Sequence, residues 1–144
     1  MTRTMTWVTW QRVGIDRMAC AWLVWKYIDA HAEFHFLPSG QTVEESPDAI
    51  PFDIPGVRLS HHRGRCSFAA FLKEYGLTDP VLSQIARIVD GADCITTVIP
   101  PPESEGVEAI CQGIRSLAND DLEALKQARL VFDALYVHLQ AGTA

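Results

Sequence analysis

Apolar positions change their spacing several times along the chain, and each change marks an element. Over residues 7–13, WVTWQRV, β-branched and aromatic residues dominate until Gly14 ends the run, which predicts a first strand. From Asp16 onward Met18, Trp22 and Trp25, with Ala19, Leu23 and Lys26, follow helical spacing to about Asp29, and Asp16 is placed to cap that helix. A helix apolar on nearly every side is expected against a sheet. Alternation returns in EFHFL at residues 33–37 and stops at Pro38, Ser39 and Gly40, which predicts a second strand and a turn. The β-α-β order implies two parallel strands.

Residues 40–56 have loop composition, punctuated by Pro47, Pro51, Pro55 and Gly56, and the third strand is expected over Val57 to His61. A helix then begins near Cys66 or Ser67 and stops at Gly76, with Phe68, Phe71 and Leu72 as its apolar face. Thr78, Asp79 and Pro80 announce the next helix, a capping residue followed by proline at the first helical position. Val81, Leu82, Ile85, Ile88 and Val89 form its buried stripe. After Ile99 and three prolines, two further helices are expected at roughly 104–117 and 120–141, the second capped by Asn119 or Asp120. The fold class is therefore α/β: a small, mostly parallel sheet of about three strands in the N-terminal half, packed by several helices, with a helical C-terminal half.

A chain of 144 residues with 48% hydrophobic and 21% charged positions has the balance of one globular domain. The net charge is −6, and it is carried by residues 90–133, where nine acids face only Arg115, Lys126 and Arg129. No broad basic face remains for nucleic acid, so nucleic-acid binding by this domain alone is not expected. Cys20, Cys66, Cys94 and Cys111 contain no CxxC pair, which argues against a zinc ribbon or a disulfide framework and for reduced thiols. The N-terminus has no apolar run of signal-peptide length and no stretch approaches a membrane span, so a cytoplasmic location without a membrane partner is expected.

The densest polar cluster is RLSHHRGRCS at residues 58–67, between a predicted strand and helix. Loops at the C-terminal ends of parallel strands are where α/β folds build their sites. A helix start beside Arg63 and Arg65 would suit an anion, and Cys66 at that start would gain thiolate character. His61 is the candidate metal ligand, with Asp53, Asp90 and Asp93, and also Glu33, the carboxylates able to complete the shell of a transition-metal ion. Adjacent histidines on a strand face opposite ways, so His62 is assigned to ligand binding instead. Asp16 and Arg17, at the edge of the first strand, can face the same crevice and join Cys66 as candidate reactive groups. Cys20, Cys94 and Cys111 are read as core, and the four tryptophans as a large aromatic core.

Taken in order, WVTW, IDRMACAWLVWKYID, AEFHFLP, IPFDIPGV, LSHHRGRCSF, DPVLSQIARIVDGAD and DALY resemble the C-terminal domain of ChrB-type chromate-resistance proteins, across roughly residues 7–139. The resemblance carries over Asp16, Arg17, Asp53, His61, Cys66, Asp90 and Asp93 as the polar positions of the family pattern. Relatives often place a histidine where this chain has Arg65. The resemblance implies a domain that in longer proteins follows a separate N-terminal region.

Two functions follow as expectations. One is a binding module for a chromate-like oxyanion or a metal ion at the His61–Cys66 turn, the anion being held by Arg17, Arg63 and Arg65. The alternative is a metal-dependent hydrolase or redox enzyme with the His and Asp ligands in the same crevice. A homodimer is compatible with either.

Overall fold

The computed structural model describes residues 5–94 and 99–142. Three short parallel strands form its sheet: β1 (Thr6–Trp10), β2 (Glu33–Leu37) and β3 (Ala49–Pro51), in the order β2-β1-β3. β1 lies in the middle, with Trp7 opposite Phe34 on one side and Ile50 on the other. The second strand has the expected bounds, the first is present but ends at Trp10 instead of Val13, and the third lies elsewhere. It lies inside the stretch assigned to loop, while residues 57–61 contribute only an isolated bridge from Leu59 to Phe52. Pro51 misleads a linear reading because proline disrupts interior strands, yet β3 is an edge strand. The backbone bonds to β1 run through Asp48 and Phe52, so the missing N–H of Pro51 costs none of them.

α1 (Ile15–Leu23) follows β1 and widens into a π-helical turn over Val24–Ile28, closed by the bond from Asp29 N to the Val24 carbonyl, 2.7 Å. Its N-cap is Gly14, and Asp16 does not cap it: that carboxylate, 2% exposed, is committed to a different helix. α2 (Ser67–Glu74) and α3 (Pro80–Asp93) come next. Asp79 caps α3 by accepting a hydrogen bond from Val81 N, 2.9 Å, with Pro80 opening the helix as its composition predicts. α4 (Glu103–Leu117) and α5 (Asp121–Gly142) complete the helical half. Of the two expected caps for α5, Asp120 takes the role, accepting from Glu123 N at 2.8 Å.

Helices and sheet share one buried cluster. Trp7, Trp22, Phe52, Phe68, Phe71 and Phe132 are its largest fully buried members. Trp22 stacks on Phe68 and contacts Phe132, while its Nε1 donates to Asp133 at 2.8 Å. Each such side chain contributes roughly 1.5–3 kcal/mol of burial energy, so this cluster dominates the stability of the α1–α2–α5 contact. The aromatic core is smaller than the sequence suggests, because Trp10 and Trp25 are only half-buried. Among the described residues no helix is long and apolar enough to cross a membrane.

Candidate metal centre

The end of β1, the start of α1, the loop after β3, the turn before α2 and the end of α3 meet beyond the C-terminal ends of β1 and β3. Asp16 ties them together. One carboxylate oxygen accepts from Ser67 N at 2.8 Å and the other from Phe68 N at 3.0 Å, so Asp16 caps α2 from across the fold. Two N–H groups at a helix start and its dipole make a strong seat for a buried carboxylate. The oxygen that meets Ser67 N also meets His61 Nε2 at 3.0 Å.

Asp53 approaches the same imidazole nitrogen at 3.3 Å and Asp93 at 3.2 Å. Asp53 stands in the left-handed region, φ 52°, a conformation that costs energy outside glycine and that the surroundings enforce here. Arg17 supplies much of that enforcement. Its guanidinium donates to the Asp53 carbonyl at 2.8 Å, pairs with the Asp53 carboxylate at 3.1 Å and bonds Thr9 Oγ1 at 3.0 Å. Buried Thr9 in turn donates to the Phe52 carbonyl, and Ser67 Oγ donates to the second Asp53 oxygen at 2.6 Å.

The charges respond to this crowding. Hydrogen bonds to Asp16 and Asp53 hold His61 in its charged form and push its pKa up to about 10. Burial, aided by the neighbouring Asp16 and Asp53, raises Asp93 to about 6. Burial also raises Asp16, against the pull of its bond to His61. Cys94, read from sequence as core, belongs here: it is only partly buried and its Sγ lies 3.6 Å from His61 Nδ1. The centre thus contains two ligand triads that share His61, one with Asp16 and Asp53 and the other with Asp93 and Cys94.

The family model for the C-terminal domain of ChrB matches residues 7–139. The chain belongs to the ChrB C-terminal domain family. Protein ChrB of Cupriavidus metallidurans is 35% identical over 137 residues, which are 94% of this chain and 41% of that protein. The chain therefore spans about two-fifths of the length of that relative. No solved structure matches.

Four of the seven positions carried over from the ChrB pattern, Asp16, Asp53, His61 and Asp93, converge on one point, and Arg17 braces them. The other two do not. Asp90 accepts from Cys66 N at 2.8 Å and from Arg65 Nε at 2.6 Å, so it caps the start of α2 from α3 and is absent from both triads. Cys66 is wholly buried and its thiol donates to the Ala86 carbonyl. Burial, then the charges of Asp16 and Asp90, raise its pKa, the reverse of the expected activation at a helix start.

The arginine turn also differs from expectation. Arg63 and Gly64 both have positive φ, 52° and 77°, and His62 and Arg65 exchange backbone hydrogen bonds, the pattern of a tight two-residue hairpin turn. Arg63 is exposed at its tip, Arg65 is paired with Asp90, and Arg17 is spent on Asp53, so no arginine fork converges on an anion. His62 is exposed and bonds the Arg58 carbonyl at 2.8 Å. Sequence reasoning missed Cys94, Ser67 and Thr9; only the adjacency of Cys94 to Asp93 could have flagged one of them.

Proposed function

We propose that this ChrB-type domain serves chromate resistance by binding a transition-metal cation between His61 and the carboxylates of Asp16, Asp53 and Asp93. The observation that carries this reading is the convergence of three carboxylate oxygens on one imidazole nitrogen at 3.0–3.3 Å. Donor atoms bound at about 2.0–2.2 Å to one ion stand roughly 3.0–3.5 Å apart, so each contact to His61 Nε2 has the spacing of two ligands on one ion, Asp16 and Asp53 forming one set with His61 and Asp93 a second with Cys94. Carboxylate and imidazole donors favour a first-row divalent ion, and Cys94 offers a softer donor on the other side of the ring. His61, 42% exposed, leaves the centre open to solvent exchange.

Electrostatics argues against the chromate-like anion as the direct ligand. A dianion would face three carboxylates, while the arginines meant to hold it are engaged or splayed away. The alternative of a metal-dependent enzyme is weakened because Arg17, expected to orient an anionic substrate, is committed to Asp53.

The test is titration of metal-free protein with Zn²⁺, with Mn²⁺ and with chromate by calorimetry, alongside elemental mass spectrometry. One divalent ion per chain is expected, with no heat from chromate, and the ion is lost in His61→Ala and Asp53→Ala while circular dichroism is unchanged. A wild type that binds neither cation, or a His61→Ala variant that binds as well as wild type, overturns the reading.

A further inference from the structure

A second site lies between α2 and α3, lined by residues other than those of the acidic centre. α2, the loop after it and α3 enclose a cavity of about 860 Å³ that shares no side chain with His61, Asp16, Asp53, Asp93 or Cys94. Its floor is apolar, formed by Ala69, Leu72, Leu77 and Ala86, and the short side chains of Ala69 on α2 and Ala86 on α3 leave space between the two helices. Pro100 and Pro101 form one wall, and that wall is fixed. A Cβ on Gly91 would sit 2.6 Å from Pro100 Cβ and 2.5 Å from Ser104 Oγ, so Pro100 packs directly on the bare backbone of α3. Ser104, 2% exposed, anchors the same segment by donating to the Ile88 carbonyl at 2.7 Å.

The rim is basic. Arg65, Lys73 and Arg87 line the cavity with Asp90 as its one acid, in a chain whose net charge is −6. Asp90 is already satisfied by Arg65 Nε and Cys66 N. Lys73 and Arg87 are exposed, and among the described residues they make no ion pair. Two unengaged cations over an apolar floor complement a molecule with an anionic group and an apolar body. The volume falls in the range of roughly 300–1,000 Å³ typical of organic ligand pockets and far exceeds a single tetrahedral oxyanion.

We infer that the α2–α3 cavity binds a small organic anion, an aryl or alkyl carboxylate, sulfonate or phosphate, with its apolar body on Ala69, Leu72, Leu77 and Ala86 and its charge at Lys73 and Arg87. This site is independent of the proposed metal centre, so metal-free protein serves for the test.

Two dyes of matching shape separate the contributions: 8-anilinonaphthalene-1-sulfonate carries the charge, and N-phenyl-1-naphthylamine lacks it. The sulfonate is expected to saturate at one per folded chain and to bind at least tenfold more tightly than the neutral dye. The double charge reversal Lys73→Glu with Arg87→Glu should weaken the sulfonate at least tenfold and leave the neutral dye unchanged. Ala69→Trp, which fills the floor, should abolish both, and Leu77→Trp in the loop repeats that test if the first variant fails to fold. Absence of saturable sulfonate binding, equal affinity for the two dyes, indifference to charge reversal, or full binding to the filled cavity would each overturn the inference.

Discussion

His61 and Arg63 stand two residues apart, yet the fold treats them in opposite ways. His61 is drawn against three carboxylates supplied by α1, the loop after β3 and α3, all of which meet its Nε2. Arg63 sits at the tip of a tight turn, exposed, and the neighbouring Arg65 is tied to Asp90. Both regions look equally rich in chemistry when read as sequence. Their difference teaches that charge density along the chain does not make a site; convergence of groups from distant segments on one atom does. The carboxylates that define this centre lie 45, 8 and 32 residues from His61.

The contrast is broken most severely at Asp16. Asp16→Ala leaves the buried N–H groups of Ser67 and Phe68 without their acceptor and removes the cap of α2, an expected loss of about 3 kcal/mol measured by urea denaturation. Next in size is His61→Ala, which should lower divalent-ion affinity more than a hundredfold by calorimetry and also destabilise the metal-free protein near neutral pH, because it leaves Asp16 and Asp53 without their cationic partner.

Proton linkage sharpens the comparison. A cation must displace the proton that His61 holds up to a pKa of about 10, so ion affinity should rise about tenfold per pH unit between pH 7 and 9, with about one proton released per ion in calorimetry across buffers. Stability of the metal-free protein runs the other way. A histidine pKa raised from 6.5 to about 10 contributes stability that is complete below pH 6.5 and lost as pH climbs to about 10, so the melting temperature should fall over that window in wild type and stay flatter in His61→Gln. A flat profile in wild type would contradict the pairing of His61 with Asp16 and Asp53.

Thiol labelling gives a smaller effect. Ellman's reagent should modify only Cys94 in the folded protein, Cys20, Cys66 and Cys111 reacting after denaturation, and bound ion should slow that one reaction. Smallest of all, Arg63→Ala is expected to change stability by less than about 0.5 kcal/mol and ion affinity by less than twofold. A large loss there would return the arginine turn to the site.

The chain by itself determined the elements with strong local signals. EFHFL alternates, Asp79-Pro80 marks a helix start, and the long apolar stripes of α3 and α5 repeat at helical spacing, so these follow from short-range physics. It also carried the ordered motifs of the ChrB family and four of the converging side chains. Tertiary structure decided the rest. β3 exists only because β1 offers an edge to a three-residue, proline-containing segment with no local preference for strand. Asp16 caps α2 instead of its own helix because the fold brings the two N-terminal ends together. Cys66 and Cys94 depart from expectation for the same reason: packing buries Cys66 away from the centre and sets the partly exposed Cys94 beside His61, while burial and neighbouring carboxylates raise both thiols, and none of this is written in the residues beside them.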